Sequence, residues 1–165
     1  MEEYSTTYLV MTRTFEAAAE RVFDAWLNPE IMRKWLFTLE ATNKVAENNP
    51  VVGGTWEIVD HRNGVDYRAV GEYMEIEPPH KLVFTFKMPQ MSEYEDTITV
   101  ELKEVEKGCE MKFTHEIKVP HEENWTTEDI EKAIGENHDG LEHGWNLMFM
   151  GLKELLEKGE ISYKG

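Results

Sequence analysis

The chain has 165 residues, 41% of them hydrophobic and 30% charged, which suits one domain over 1–165 able to bury a sizeable core. With 33 acidic against 17 basic side chains the formal net charge is −16, which opposes phosphate backbones and anionic lipid heads. Nucleic acid and membrane surfaces are therefore not expected as partners, and the longest basic run is Arg33-Lys34.

The first residues, MEEYSTTYLVM, are acidic and lack the basic and apolar regions of a signal peptide. Residues 6–15 read as a strand, with Leu9, Met11 and Phe15 on one face and Arg13 interrupting it. From residue 17 to 27 the period changes, and Val22, Phe23, Trp26 and Leu27 recur at helical spacing. Pro29 forces Asn28 out of helical geometry, and a short second helix is expected from Glu30 to Trp35.

Residues 40–119 alternate as strand after strand. Trp56 and Ile58 share a face, and Asn63-Gly64 is a strong hairpin signal before the next strand. Pro78-Pro79 marks a turn into a strand carrying Leu82, Phe84, Phe86 and Met88 on one side. Ile98, Val100 and Leu102 follow inward, then Met111, Phe113, His115 and Ile117. One-sided alternation over consecutive hairpins means an antiparallel sheet with one buried face. The cover is a helix over residues 138–158, with Leu141, Trp145, Met148, Leu152, Leu155 and Leu156 in a stripe. Glu142, His143, Asn146, Lys153 and Glu157 lie opposite, and Gly159 ends it. Residues 120–137 are polar and turn-rich, with room for a helical turn or two from Thr127 to Ile134. The expected class is α+β, a sheet of about six to seven strands bent around its last helix.

The stretches AERVFDAWLNPEIMRKW, GGTWEI, GEYMEIEPPHKLVFTF and EHGWNLMFMGLKELLEKG occur in that order. Together they resemble the activator of heat-shock protein 90 ATPase homologue family, within the SRPBCC or START-like superfamily that also holds birch-pollen-allergen-like proteins. The resemblance runs from residue 6 to 158. It implies a helix-grip fold, a curved antiparallel sheet gripping the C-terminal helix with a cavity between them. Gly53, Gly54, Trp56, Gly71, Pro78, Gly144 and Trp145 match the family pattern at fold-specifying positions. Leu36 stands where many relatives carry a second tryptophan after Trp35. The superfamily hosts lipid carriers, cyclases and co-chaperones on one scaffold, so the resemblance does not choose among them.

The residues themselves narrow the chemistry. Cys109 is the only cysteine, so no internal disulfide forms, and no apolar run approaches the roughly 18 residues of a membrane span. A protein of a reducing compartment, the cytoplasm, is expected, as a monomer or homodimer. The six histidines include no HExxH pair; His138 and Glu142 share a helix face, but one pair is not a site, so neither metal nor other cofactor is expected. No nucleophile motif or phosphate loop occurs.

An apolar pocket between helix and sheet is the remaining candidate. Its sheet wall is read as Trp56, Phe84, Phe86, Phe113 and His115, and its helix wall as Trp145, Met148 and Phe149. Trp35 and Phe37 are placed near the mouth, and His115 and Tyr67 are the polar groups able to orient a ligand. Each also has an ordinary reading as core. Gly144 and Gly151, seven apart, cost about 1 kcal/mol each against alanine in a helix. That cost implies either close backbone approach or space kept free. Three functions follow: binding of a small apolar molecule, contact with a chaperone, or cyclase-like acid–base catalysis in the same pocket.

Overall fold

The computed structural model describes residues 4–161. Strand β1 (Tyr4–Phe15) is followed by two short helices, α1 (Ala19–Leu27) and α2 (Pro29–Trp35). Six strands come next: β2 (Asn43–Asn48), β3 (Thr55–Arg62), β4 (Val65–Glu77), β5 (Lys81–Phe86), β6 (Asp96–Val105) and β7 (Gly108–Pro120). Helix α3 (Thr127–Lys158) is the last element. The sheet has seven strands in the order β1-β7-β6-β5-β4-β3-β2, with every pair antiparallel. Register shifts at Asn43/Val45 and Tyr73/Glu75 bend the β2 and β4 pairings, as bulges do. The result is the helix-grip arrangement that the resemblance implied.

Local chemistry sets the turns. Asn63 and Gly64 sit at φ 53° and 78°, the two positive angles that a tight primed hairpin between β3 and β4 requires. Gly71 on β4 has a different reason. A Cβ there would fall 1.8 Å from the Thr85 carbonyl oxygen and 2.5 Å from Trp56 Nε1. Its absence lets the Trp56 indole N–H donate to the Thr85 carbonyl at 3.2 Å.

The Asn-Pro break works as a double cap. The Asn28 N–H donates to the Asp24 carbonyl and closes α1, while its Oδ1 accepts the Glu30 N–H at 3.0 Å and opens α2. Pro29 takes the first helical position of α2, one residue earlier than expected. The break turns the chain sharply enough for Trp35 to come back onto α1, where its Nε1–H donates to the Ala25 carbonyl at 2.9 Å. Trp26 and Trp35 meet edge to face, with ring centroids 4.8 Å apart and planes at 89°. Both are 2% exposed.

Helix α3 corrects the expected start at residue 138. It is continuous over 32 residues, roughly 48 Å. The polar stretch before residue 138 is helical because Thr126 and Asp129 form a reciprocal capping box, 3.1 Å from the Asp129 N–H to Thr126 Oγ1 and 2.9 Å from the Thr126 N–H to Asp129 Oδ2. Gly135 and Gly140 are carried within it. The polar flank also differs from expectation, because three of its residues hold β1 rather than face water alone. Arg13 donates to Asn146 Oδ1 at 3.1 Å, Lys153 donates to the Thr14 carbonyl at 3.2 Å, and the Glu16 N–H donates to Glu157 at 2.8 Å. These contacts explain why Arg13 occupies an inward position on β1. Among the described residues, no helix is long and apolar enough to cross a membrane.

One buried group on the sheet gives a pH signature. Tyr73 on β4 is 2% exposed, and burial pushes its phenol from 10.0 up to about 12 against the opposing hydrogen bond from Asn48. Between pH 10 and 12 the unfolded chain loses this proton and the folded one keeps it. Stability is therefore whole below pH 10 and falls as pH rises to 12, by about 2–3 kcal/mol from this group. Urea melts across that window should show a shallower fall for Tyr73→Phe than for the parent; equal slopes would contradict it.

Candidate functional site

Between α3 and the sheet lie two regions of different character. The first is solid. Phe113 and Trp145 sit with centroids 4.5 Å apart, Phe113 and Phe149 5.0 Å, and Trp26 packs against Phe84, Phe113, Trp145 and Phe149. Trp56 and Phe86 join this cluster from β3 and β5. The structure thus places Trp56, Phe84, Phe86, Phe113, His115, Trp145 and Phe149 in the buried core. The physical reason is that α1 delivers Trp26 into the space that these rings would otherwise enclose.

The second region is open. A cleft of about 400 Å³ lies between the last half of α3, the β3–β4 hairpin and the segment after α2. Of the residues expected to line a pocket, Trp35, Phe37, Tyr67 and Met148 border it. Gly144 and Gly151 form its helical wall, with Leu147 beside them. A Cβ on Gly144 would meet nothing within 4 Å, so this glycine keeps space free rather than letting backbones approach. Among the described residues, a Cβ on Gly151 would meet Ile161, at 3.5 Å. Ile161 reaches the cleft because Gly159 reverses the chain at φ 84°.

Phe37 joins the two regions. It has φ 60°, unusual for a bulky residue, and stacks on Phe86 with centroids 4.7 Å apart and planes at 5°. Its N–H points to Met148 Sδ at 3.2 Å. The segment after α2 is thereby pinned to α3 at the cleft wall.

His115 lies apart from the cleft, and its nitrogens are both engaged. Trp145 Nε1–H can only donate, and it donates to His115 Nδ1 at 3.1 Å. Nε2 therefore carries the proton and donates to Asp96 Oδ2 at 2.8 Å. Asp96 Oδ1 accepts the Lys118 N–H at 3.0 Å. The relay Trp145–His115–Asp96 ties α3 through β7 to the start of β6.

The polar groups of the cleft are others. Asp60 on β3 is 2% exposed, and its Oδ1 accepts hydroxyls from Thr38 at 2.8 Å and Thr42 at 2.5 Å. Its Oδ2 pairs with Arg62 Nε. The Arg62 guanidinium stands over the Tyr67 ring, 5.2 Å from its centroid. Thr38, Thr42, Asp60 and Arg62 all border the cleft, with Leu39, Ala69, Met88 and Ile161. Asp60 and Arg62 were readable: the alternation of Trp56 and Ile58, carried two steps further, puts both on the same face. Thr38, Thr42 and Ile161 come from irregular segments, whose positions no periodicity encodes.

One group of potential metal ligands exists among the described residues. His138, Asp139 and Glu142 on α3 bring ligand atoms within 4.8 Å of one another. His138 is half-buried while Asp139 and Glu142 are exposed, and three ligands fall short of the four that close a structural zinc site.

A family model described as Activator of Hsp90 ATPase homolog 1-like protein matches residues 16–157. The chain belongs to this family. Among solved structures, the chain is similar to a protein of unknown function from Staphylococcus aureus, at 29% identity and a TM-score of 0.88, over 95% of this chain and 97% of that one. A Rhodobacter sphaeroides protein matches at 22% identity and 0.72, over 93% and 94%. An Hsp90 activator from Plasmodium falciparum matches at 21% and 0.65, over 93% and 96%, and at that identity shares the fold. Comparison with curated proteins gives no match.

Proposed function

We propose that this chain binds a small, largely apolar molecule in the cleft between α3 and the β3–β4 hairpin. The observation that carries this reading is Gly144. The helix gives up about 1 kcal/mol there relative to alanine, and among the described residues no other segment comes within 4 Å of the space so released. The cleft falls in the size range of small-molecule sites, and apolar side chains dominate its border, with a few convergent polar groups. The cyclase-like reading relied on His115, which has no free nitrogen and does not border the cleft.

N-phenyl-1-naphthylamine, a neutral apolar fluorophore, tests the proposal. Its titration into the protein should give saturable emission, quench the tryptophans, and raise the melting temperature. At a free concentration a hundredfold above Kd the gain is about 2.7 kcal/mol. Non-saturable emission with an unmoved melt would contradict it.

Family membership supports a second reading, contact with an Hsp90-type chaperone. Addition of the protein to a purified chaperone of that type should then change its ATPase rate; an unchanged rate over a full titration would dismiss that reading.

A further inference from the structure

We infer that the cleft is built for an amphipathic anion, an apolar body ending in one carboxylate, with Arg62 as the carboxylate's anchor. This rests on the binding reading above and adds the chemistry of the ligand. Among the described residues, two charged side chains border the cleft, Asp60 and Arg62. The Asp60 side chain is 3% exposed, and hydroxyls and Arg62 Nε already occupy its oxygens. The Arg62 side chain is 58% exposed. The charge a ligand meets is therefore positive, in a chain whose net charge is −16.

The arginine is also fixed in place. Asp60 holds it through Nε, and the Tyr67 ring lies beneath its guanidinium. Among the described residues, Arg62 makes no other ion pair. Arg62 borders the cleft, and its terminal N–H groups have the fork geometry that matches a carboxylate. A guanidinium pre-ordered by a buried partner loses little freedom on binding. The wall of Gly144, Met148 and Gly151 receives the apolar body. Asp60 acts through Arg62 and is a positioning residue.

Matched probes test the assignment: decanoate and decan-1-ol, titrated calorimetrically at pH 7.5 below their aggregation limits. The parent should bind decanoate about tenfold or more tighter than decan-1-ol, the size of one charge-assisted hydrogen bond. Arg62→Gln should erase that preference by weakening decanoate far more than decan-1-ol, with Arg62→Lys intermediate. Asp60→Asn should shrink the preference while decan-1-ol still binds, which a merely structural role would not do. Equal affinity of the parent for both probes, or an equal loss of both in Arg62→Gln, would overturn the anchor. If either of those results comes with decan-1-ol binding that Gly144→Leu blocks, the cleft stands and the head-group assignment alone has failed. If neither probe binds the parent, both fall together.

Discussion

Trp145→Ala should lower stability by about 3–5 kcal/mol, the cost of deleting a large buried ring. Trp145 is 1% exposed and packs against Phe113, Phe37, Phe149 and Trp26. It also donates to His115 Nδ1, so its loss removes the partner of a buried acceptor as well. Trp145→Phe separates the two effects. It keeps most of the ring packing and removes the N–H, and should cost about 1–3 kcal/mol. Urea denaturation of the three proteins gives both numbers. A loss below about 1 kcal/mol for Trp145→Ala would mean that α3 is not clamped to β7 at this point.

Gly144 carries the second large effect, and its two consequences have opposite signs. Gly144→Ala should raise stability by about 1 kcal/mol, because an added Cβ meets no atom within 4 Å and alanine is the better helix former. Gly144→Leu should likewise fold stably, since leucine also favours helix, but its side chain enters the cleft. Apolar probe affinity should fall at least about tenfold, the equivalent of about 1.4 kcal/mol. A core position would behave in reverse, because overpacking destabilises by about 1–3 kcal/mol. Stability and binding that fall together in both variants would show that Gly144 serves packing rather than an open site.

The strands and their inward faces were legible because one-sided alternation has a period that the sequence displays directly. Leu82, Phe84 and Phe86, Ile98, Val100 and Leu102, and Met111, Phe113 and His115 are all buried as the pattern requires. The part of α3 before residue 138 was legible only as a helical turn or two from Thr127 to Ile134, not as one helix continuous with the later stripe. Its continuity rests on a Thr126–Asp129 capping box and on packing further along, while Gly135 and Gly140 speak locally against it. The site divided along the same line. Sheet aromatics could be assigned to the inner face, but whether they enclose a space or fill one depends on Trp26, which arrives from α1. The cleft that remains open is shaped by the segment after α2, by the φ of Phe37, and by a chain reversal at Gly159. These are tertiary outcomes without a periodic signal. The glycines of α3 were the legible trace of the site, and the structure decides between close approach and free space in favour of space at Gly144.

The most direct test of the central claim is amide chemical-shift mapping of the protein titrated with N-phenyl-1-naphthylamine. Binding in the cleft predicts saturable shifts concentrated at Phe37, Tyr67, Ala69, Gly144, Met148 and Gly151, with the outer face of β1, where Tyr8 and Val10 are exposed, unmoved. Shifts centred on β1, or a spectrum unchanged at saturating probe, would contradict it.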